Sequence, residues 1–210
     1  MSRLAHVDLM THAIQERSDF ADFLATLTEE QWQVRSLCSD WTVRDVVAHH
    51  LSYDELTWPE TVKRMVRGRF GLNGTNAVGV REDTRGPAEL LDVLRAHLRP
   101  RGLVAAFGGM VALLDCMIHQ QDIRRPLGMR REIPAERLRT ALGLAMKAPP
   151  IRAFVRARGL RLVATDVDWT RGSGPEVRGP GEAVLLAIAG RDVALDELAG
   201  PGKPRLAARM

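Results

Sequence analysis

The stretch LLDCMIHQQDIRRPLG, residues 113–128, sets Asp115, His119 and Asp122 at i, i+4 and i+7 among Leu, Met, Ile and Cys. Residues i and i+4 share a face of a helix. An apolar helix that aligns two carboxylates and an imidazole needs polar partners, because an unpaired buried charge is costly. A second segment supplies candidates: SLCSDWTVRDVVAHH, residues 36–50, ends an apolar run with His49 and His50. Two helices of this kind, met across a bundle, would bring the polar groups together.

Working outward, residues 3–26 carry Leu4, Val7, Leu9, Ile14, Phe20, Phe23 and Leu24 at helical intervals. TEEQW adds one short turn. Thr42, with Asp45 three residues on, reads as a capping box that opens a helix running to about Gly68. Residues 68–87 are rich in Gly, Asn and charge without a sustained period, and read as a long loop. Helices are expected over 87–98 and about 109–125, the latter stopped by RPLG. Two shorter helices follow, in IPAERLRTALGLAM and IRAFVRARG.

Near Leu160 the texture changes. LRLVATDVDW (160–169) alternates and is rich in Val, as a strand would be. GSGPEVRGPG reads as turns around a short extended piece, EAVLLAIAGR as a helix and KPRLAARM as a closing strand. The expected fold class is therefore α plus a small α/β unit: four long helices over residues 1–147, then a small α/β domain over 148–210.

Composition narrows the function classes. The 210 residues are 45% hydrophobic, enough for a sizeable core, with only 5% aromatic residues. No apolar run approaches the roughly 20 residues of a membrane span, and the charged N-terminus lacks a signal-peptide core. A cytoplasmic protein without a membrane partner is expected. Of 30 Lys and Arg residues only Lys63, Lys147 and Lys203 are lysine, so 27 are arginine. Acids alternate with them almost everywhere. A nucleic-acid footprint would need a longer stripe with interleaved aromatics than Arg124, Arg125, Arg130 and Arg131 provide. Cys38 and Cys116 are too few for a disulfide framework and read as small buried residues.

Asp115 and His119 can chelate one ion from a single helix, and a third ligand would come from the 43–51 segment. Val43, Val46, Val47, Leu51 and Asp54 define its inward stripe, with His50 near the middle and His49 at the flank. Periodicity favours His50 and leaves His49 open. Asp122 either orients a ligand histidine or pairs with Arg124 or Arg125. Arg191 ends an apolar helix, where it either binds a carboxylate bidentately or complements the helix C-terminus. Trp41 and Trp169 read as packing residues.

Three blocks of the chain together resemble a known family. SLCSDWTVRDVVAHH, DCMIHQQDIRRPLG and LVATDVDWTRGSGPEVRGPGEAVLLAIAGR are similar to segments of the mycothiol-dependent maleylpyruvate isomerase family. The resemblance implies a DinB-like four-helix bundle followed by a sterol-carrier-protein-like domain. By position it implies His49, Asp115 and His119 as metal ligands, with His50 in an apolar core slot, and Arg191 at a motif position. It also implies a divalent metal such as zinc, mycothiol as the thiol cofactor and a small carboxylate or electrophile as substrate. The implied reaction is cis–trans isomerisation by thiolate addition to an activated alkene. A mycothiol S-transferase and a non-catalytic metal- or ligand-binding module are the alternatives. Asp115 departs from the family's usual Glu, one methylene longer.

Overall fold

The protein is described from a computed structural model, which covers residues 8–38 and 40–210. The chain divides into two compact units, the first ending at Arg130 and the second spanning Arg131–Met210. The first is helical. The second holds a three-stranded sheet with short helices.

In the first unit α1 (Leu9–Leu24) buries Phe20, Phe23 and Leu24. Leu4 and Val7, placed on this helix from the sequence, lie outside the described residues. The turn α2 (Glu29–Trp32) is closed by a Thr28–Gln31 capping box. Helix α3 (Val43–Leu51) opens on the expected Thr42–Asp45 box: Asp45 Oδ2 accepts from Thr42 N at 3.1 Å, and Thr42 Oγ1 accepts from Asp45 N at 3.3 Å.

The helix expected to run on to Gly68 stops at Leu51, and α4 (Trp58–Arg67) begins anew. The break has a local cause. Glu60 accepts from Thr57 N at 2.8 Å and from its hydroxyl at 2.6 Å, and Pro59 sits in the first turn, where its missing N–H costs nothing. It also has a tertiary one. The intervening turn carries Asp54, which forms a fully buried ion pair with Arg17 of α1.

The stretch 68–87 is not a loop throughout, because α5 (Leu72–Glu82) lies within it. Its Gly and Asn content hides it from a propensity reading, and packing supplies what propensity lacks. Helix α5 packs on α3 and α4. A Cβ at Gly68 would sit 2.3 Å from Thr75 N, so the corner between α4 and α5 closes only around a glycine. Helix α6 (Pro87–Ala96) follows, then a 3-10 segment (Gly102–Gly109) and α7 (Met110–Arg124). Helices α1, α3, α6 and α7 pack pairwise around a core that includes Phe20, Leu24, Val46, Val47, Leu90 and Leu94.

Contrary to the sequence reading, Gly102–Arg124 is long and apolar enough, by length and composition, to cross a membrane. Core helices meet the same criterion. The backbone leaves helical geometry at Ala106, Phe107 and Gly108, and α7 beyond it buries Leu113, Met117 and Ile123 against its neighbours. It is a core helix carrying buried polar groups.

In the second unit α8 (Ala135–Ala145), grouped with the bundle by the 1–147 boundary, packs on α10 (Gly181–Ile188). Between them come α9 (Ala153–Arg156), β1 (Arg161–Ala164), β2 (Thr170–Gly172) and β3 (Glu176–Gly179). The sheet order is β2-β1-β3, with β1 antiparallel to β2 and parallel to β3. The expected closing strand is instead a helix, α11 (Lys203–Ala207). Pro204 occupies its first turn and Leu206 is its buried anchor.

Candidate metal centre

The site is built by α3, α7 and the segment before α3. That segment is pinned to α7: Leu37 N donates to Asp122 O at 2.9 Å, and Ser36 N donates to Trp41 O at 2.9 Å. The two bonds deliver Cys38 and Trp41 to the polar face of α7.

His49 Nε2 and His119 Nε2 lie 3.8 and 3.4 Å from Asp115 Oδ1, and the three ligand atoms fall within 4.8 Å of one another. Ligand atoms held at about 2.0–2.1 Å by one tetrahedral ion lie roughly 3.3 Å apart. Two imidazoles and a carboxylate at this spacing fit a divalent ion. The short Asp115 side chain therefore still reaches both histidines. A quarter of that side chain is accessible, so the cluster has an open side.

His50 meets the same carboxylate from behind. Its Nδ1 is 2.6 Å from Asp115 Oδ2, and its ring lies edge-on to Phe20 at 5.6 Å. It is buried in the core as the resemblance implied, yet it points at Asp115 as periodicity implied. The His49 ring stands between Trp41, 5.0 Å away, and Tyr53, edge-on at 6.1 Å, and lies 5.0 Å from the His119 ring. Trp41 is thus packing, and the residue it packs is a candidate ligand.

Asp122 is buried and accepts from His119 Nδ1 at 2.9 Å and from the Cys38 thiol at 3.1 Å. That carboxylate–histidine contact sets the ring so that Nε2 faces Asp115. Cys38, His119 and Asp122 also form a cluster of ligand-type atoms. It uses the opposite ring nitrogen, which is already hydrogen-bonded to Asp122. Cys38 was read from sequence only as a small apolar residue; its place beside the histidine comes from the Leu37–Asp122 bond, which no local pattern signals.

The electrostatics divide the two histidines. Burial pushes His49 down to about 3, against the pull of Asp115. Burial also opposes charge on His119, but Asp115, Asp122 and Cys38 outweigh it and hold its pKa well above the usual value. Burial likewise works against the charge of Asp115, and His119 and His50 overcome it, keeping that carboxyl well below the ordinary range. Asp115 and His119 thus favour each other's charged forms, and a divalent ion would compete with His119 for the carboxylate.

Residues 14–101 match the family described as the mycothiol maleylpyruvate isomerase N-terminal domain. The match lies wholly within the helical unit and covers less than half of the chain. The whole chain is also similar to two solved structures. One is the crystal structure of the mycothiol-dependent maleylpyruvate isomerase, 15% identical with a TM-score of 0.54, and the match covers 97% of each chain. The other is a histidine-to-alanine mutant of the mycothiol-dependent maleylpyruvate isomerase, 16% identical, TM-score 0.52, again over 97% of each chain. At such identities the likeness establishes a shared fold. No curated protein matches the sequence.

Arg191 belongs to the second unit. Its backbone N–H donates to Leu186 O at 2.9 Å and its guanidinium to Ala189 O at 3.0 Å, contacts that tie it to the end of α10. Tyr53 and Arg64, which the sequence reading did not single out, belong to the same unit as the cluster. Tyr53 follows His49 by four residues and lies against its ring; Arg64 lies over the Tyr53 ring at 5.5 Å.

Proposed function

We propose that the protein is a metal- and mycothiol-dependent enzyme, an isomerase acting on a small unsaturated acid in the cytoplasm. His49, Asp115 and His119 would hold the ion, zinc being the first choice for this donor set. The observation that carries the reading is the convergence of their ligand atoms within 4.8 Å, with an open side. When bound, such an ion would keep a coordinated thiol in its thiolate form, the nucleophile that thiol-dependent isomerisation requires.

The chain's own residues do the rest. Asp122 holds His119 through Nδ1 and so aims Nε2 at the centre. His50 engages the second oxygen of Asp115 and leaves the first for the ion. Burial keeps His49 neutral and its lone pair available. Trp41 and Tyr53 wall the His49 ring and exclude water from that side. Arg191 is kept as a candidate carboxylate-binding group on the strength of its motif position. The DinB-like and sterol-carrier-like assignments of the two units belong to the same reading.

The test is elemental analysis of the purified protein, followed by turnover of a cis-enedione acid with mycothiol. One divalent ion per chain and mycothiol-dependent isomerisation are expected. His119→Ala is expected to lose both while remaining folded. A His119→Ala protein that keeps full thiol-dependent turnover would remove the ion from the mechanism.

A further inference from the structure

Arg64, on α4, forms no close ion pair among the described residues; the acid that feels its charge is Glu60, one turn earlier and exposed. Its Nη1 donates to Ser52 O at 3.4 Å, at the long limit, and its side chain also hydrogen-bonds with Tyr53. Its position is nonetheless defined on two sides. One side is the Tyr53 ring, 5.5 Å from the guanidinium carbon. That ring is itself fixed, since the Tyr53 hydroxyl donates to Asn76 Oδ1 at 2.5 Å and the ring edge meets His49.

The other side is Gly79, inside α5. A Cβ there would fall 2.6 Å from Arg64 Nη1 and 2.9 Å from its Cζ. Glycine inside a helix is destabilising relative to alanine. Here the missing Cβ makes the space in which the guanidinium lies.

Arg64 also lines a cavity of about 340 Å³ between the end of α3, α4 and α5. The other charged groups around it are engaged. Arg85 pairs with Asp83 and Glu55, Glu82 pairs with Arg67, and Glu60 is bound to Thr57. A planar guanidinium held over an aromatic ring, with donors left over, is suited to a carboxylate taken bidentately.

We propose that Arg64, seated between the Tyr53 ring and the backbone of Gly79, is a carboxylate-binding group of the helical unit, in addition to the candidate Arg191, and that its ligand is a small organic acid. The inference rests on the proposed metal centre for the fate of the acid's other end. The acid's carboxylate docks on α4, and Tyr53, shared by Arg64 and His49, joins the anion subsite to the candidate ligands.

The experiment is calorimetric titration of the full-length protein, zinc-loaded and metal-free, with maleate, and with maleamide as the uncharged control. Ion content and thermal midpoint are measured on every variant. Wild type is expected to bind maleate and not maleamide. Arg64→Gln is expected to weaken maleate about tenfold or more, the loss of a charged hydrogen-bonding partner, with Arg64→Lys in between. Gly79→Ala is expected to weaken it too, while its thermal midpoint stays level or rises, which a merely structural role for Arg64 would not produce. Ion content should stay at the wild-type value throughout. Maleate affinity unchanged in Arg64→Gln, or no maleate binding by wild type in either form, overturns the proposal. If the protein holds no ion yet maleate binding depends on Arg64, the metal centre fails and the anion subsite stands.

Discussion

Asp115 is where the residue-scale chemistry concentrates. One carboxylate faces three imidazoles, two through Oδ1 and one through Oδ2. His49 and His50 are neighbours in sequence, yet they take different roles because α3 turns by about 100° per residue. His49 reaches the ligand cluster and His50 backs the carboxylate from the core. Partners that orient a metal ligand are commonly worth about 10–100-fold in affinity. His50→Leu is therefore expected to weaken the ion by that order while leaving the fold intact, since leucine suits the apolar surroundings beside Phe20. Competition with a chromogenic chelator measures the affinity, and a melting curve checks the fold. An unchanged affinity would reduce His50 to a core filler.

At the scale of elements, the site depends on α1, α3 and α7 keeping their register. The Arg17–Asp54 pair fixes α1 to the turn that ends α3, and both side chains are fully buried. Removing one member of such a pair leaves an uncompensated charge and costs about 3–5 kcal/mol. Asp54→Ala is expected to lower the stability read from urea unfolding by that amount, with the slope of the transition little changed. The same turn illustrates what a periodic reading passes over. Thr57, Pro59 and Glu60 form a legible helix start, but the apolar periodicity of 43–68 runs through it. Helix α5 is the opposite case. Its glycines carry no helical signal, and they are present because α4 and Arg64 pass close to it.

For the molecule as a whole, every candidate ligand and the Arg64 seat lie before Arg131. The first unit is thus expected to hold the ion without the second. A chain ending at Arg130 should bind one divalent ion, measured by elemental analysis after gel filtration, with circular dichroism to verify helicity. A folded fragment without the ion would show that residues beyond Arg130 complete the site. The family match, residues 14–101, covers His49 but not Asp115 or His119. The ligand set therefore rests on α7, the second part of the apolar stretch Gly102–Arg124, whose polar face forms half of the site.

The i, i+4 spacing of Asp115 and His119, the Thr42–Asp45 box and the change of period near Leu160 are short-range patterns. Each acts within one element, so the helices, the start of α3 and the small α/β unit could be read directly. The choice between His49 and His50, the arrival of Cys38 beside His119, and the pairing of Asp54 with Arg17 depend on contacts between residues tens of positions apart. So do α5, whose helix is stabilised by its neighbours, and α11, whose Leu206 anchors a helix where a closing strand was expected. Local periodicity carries no information about which face another element will cover, and packing alone settles that.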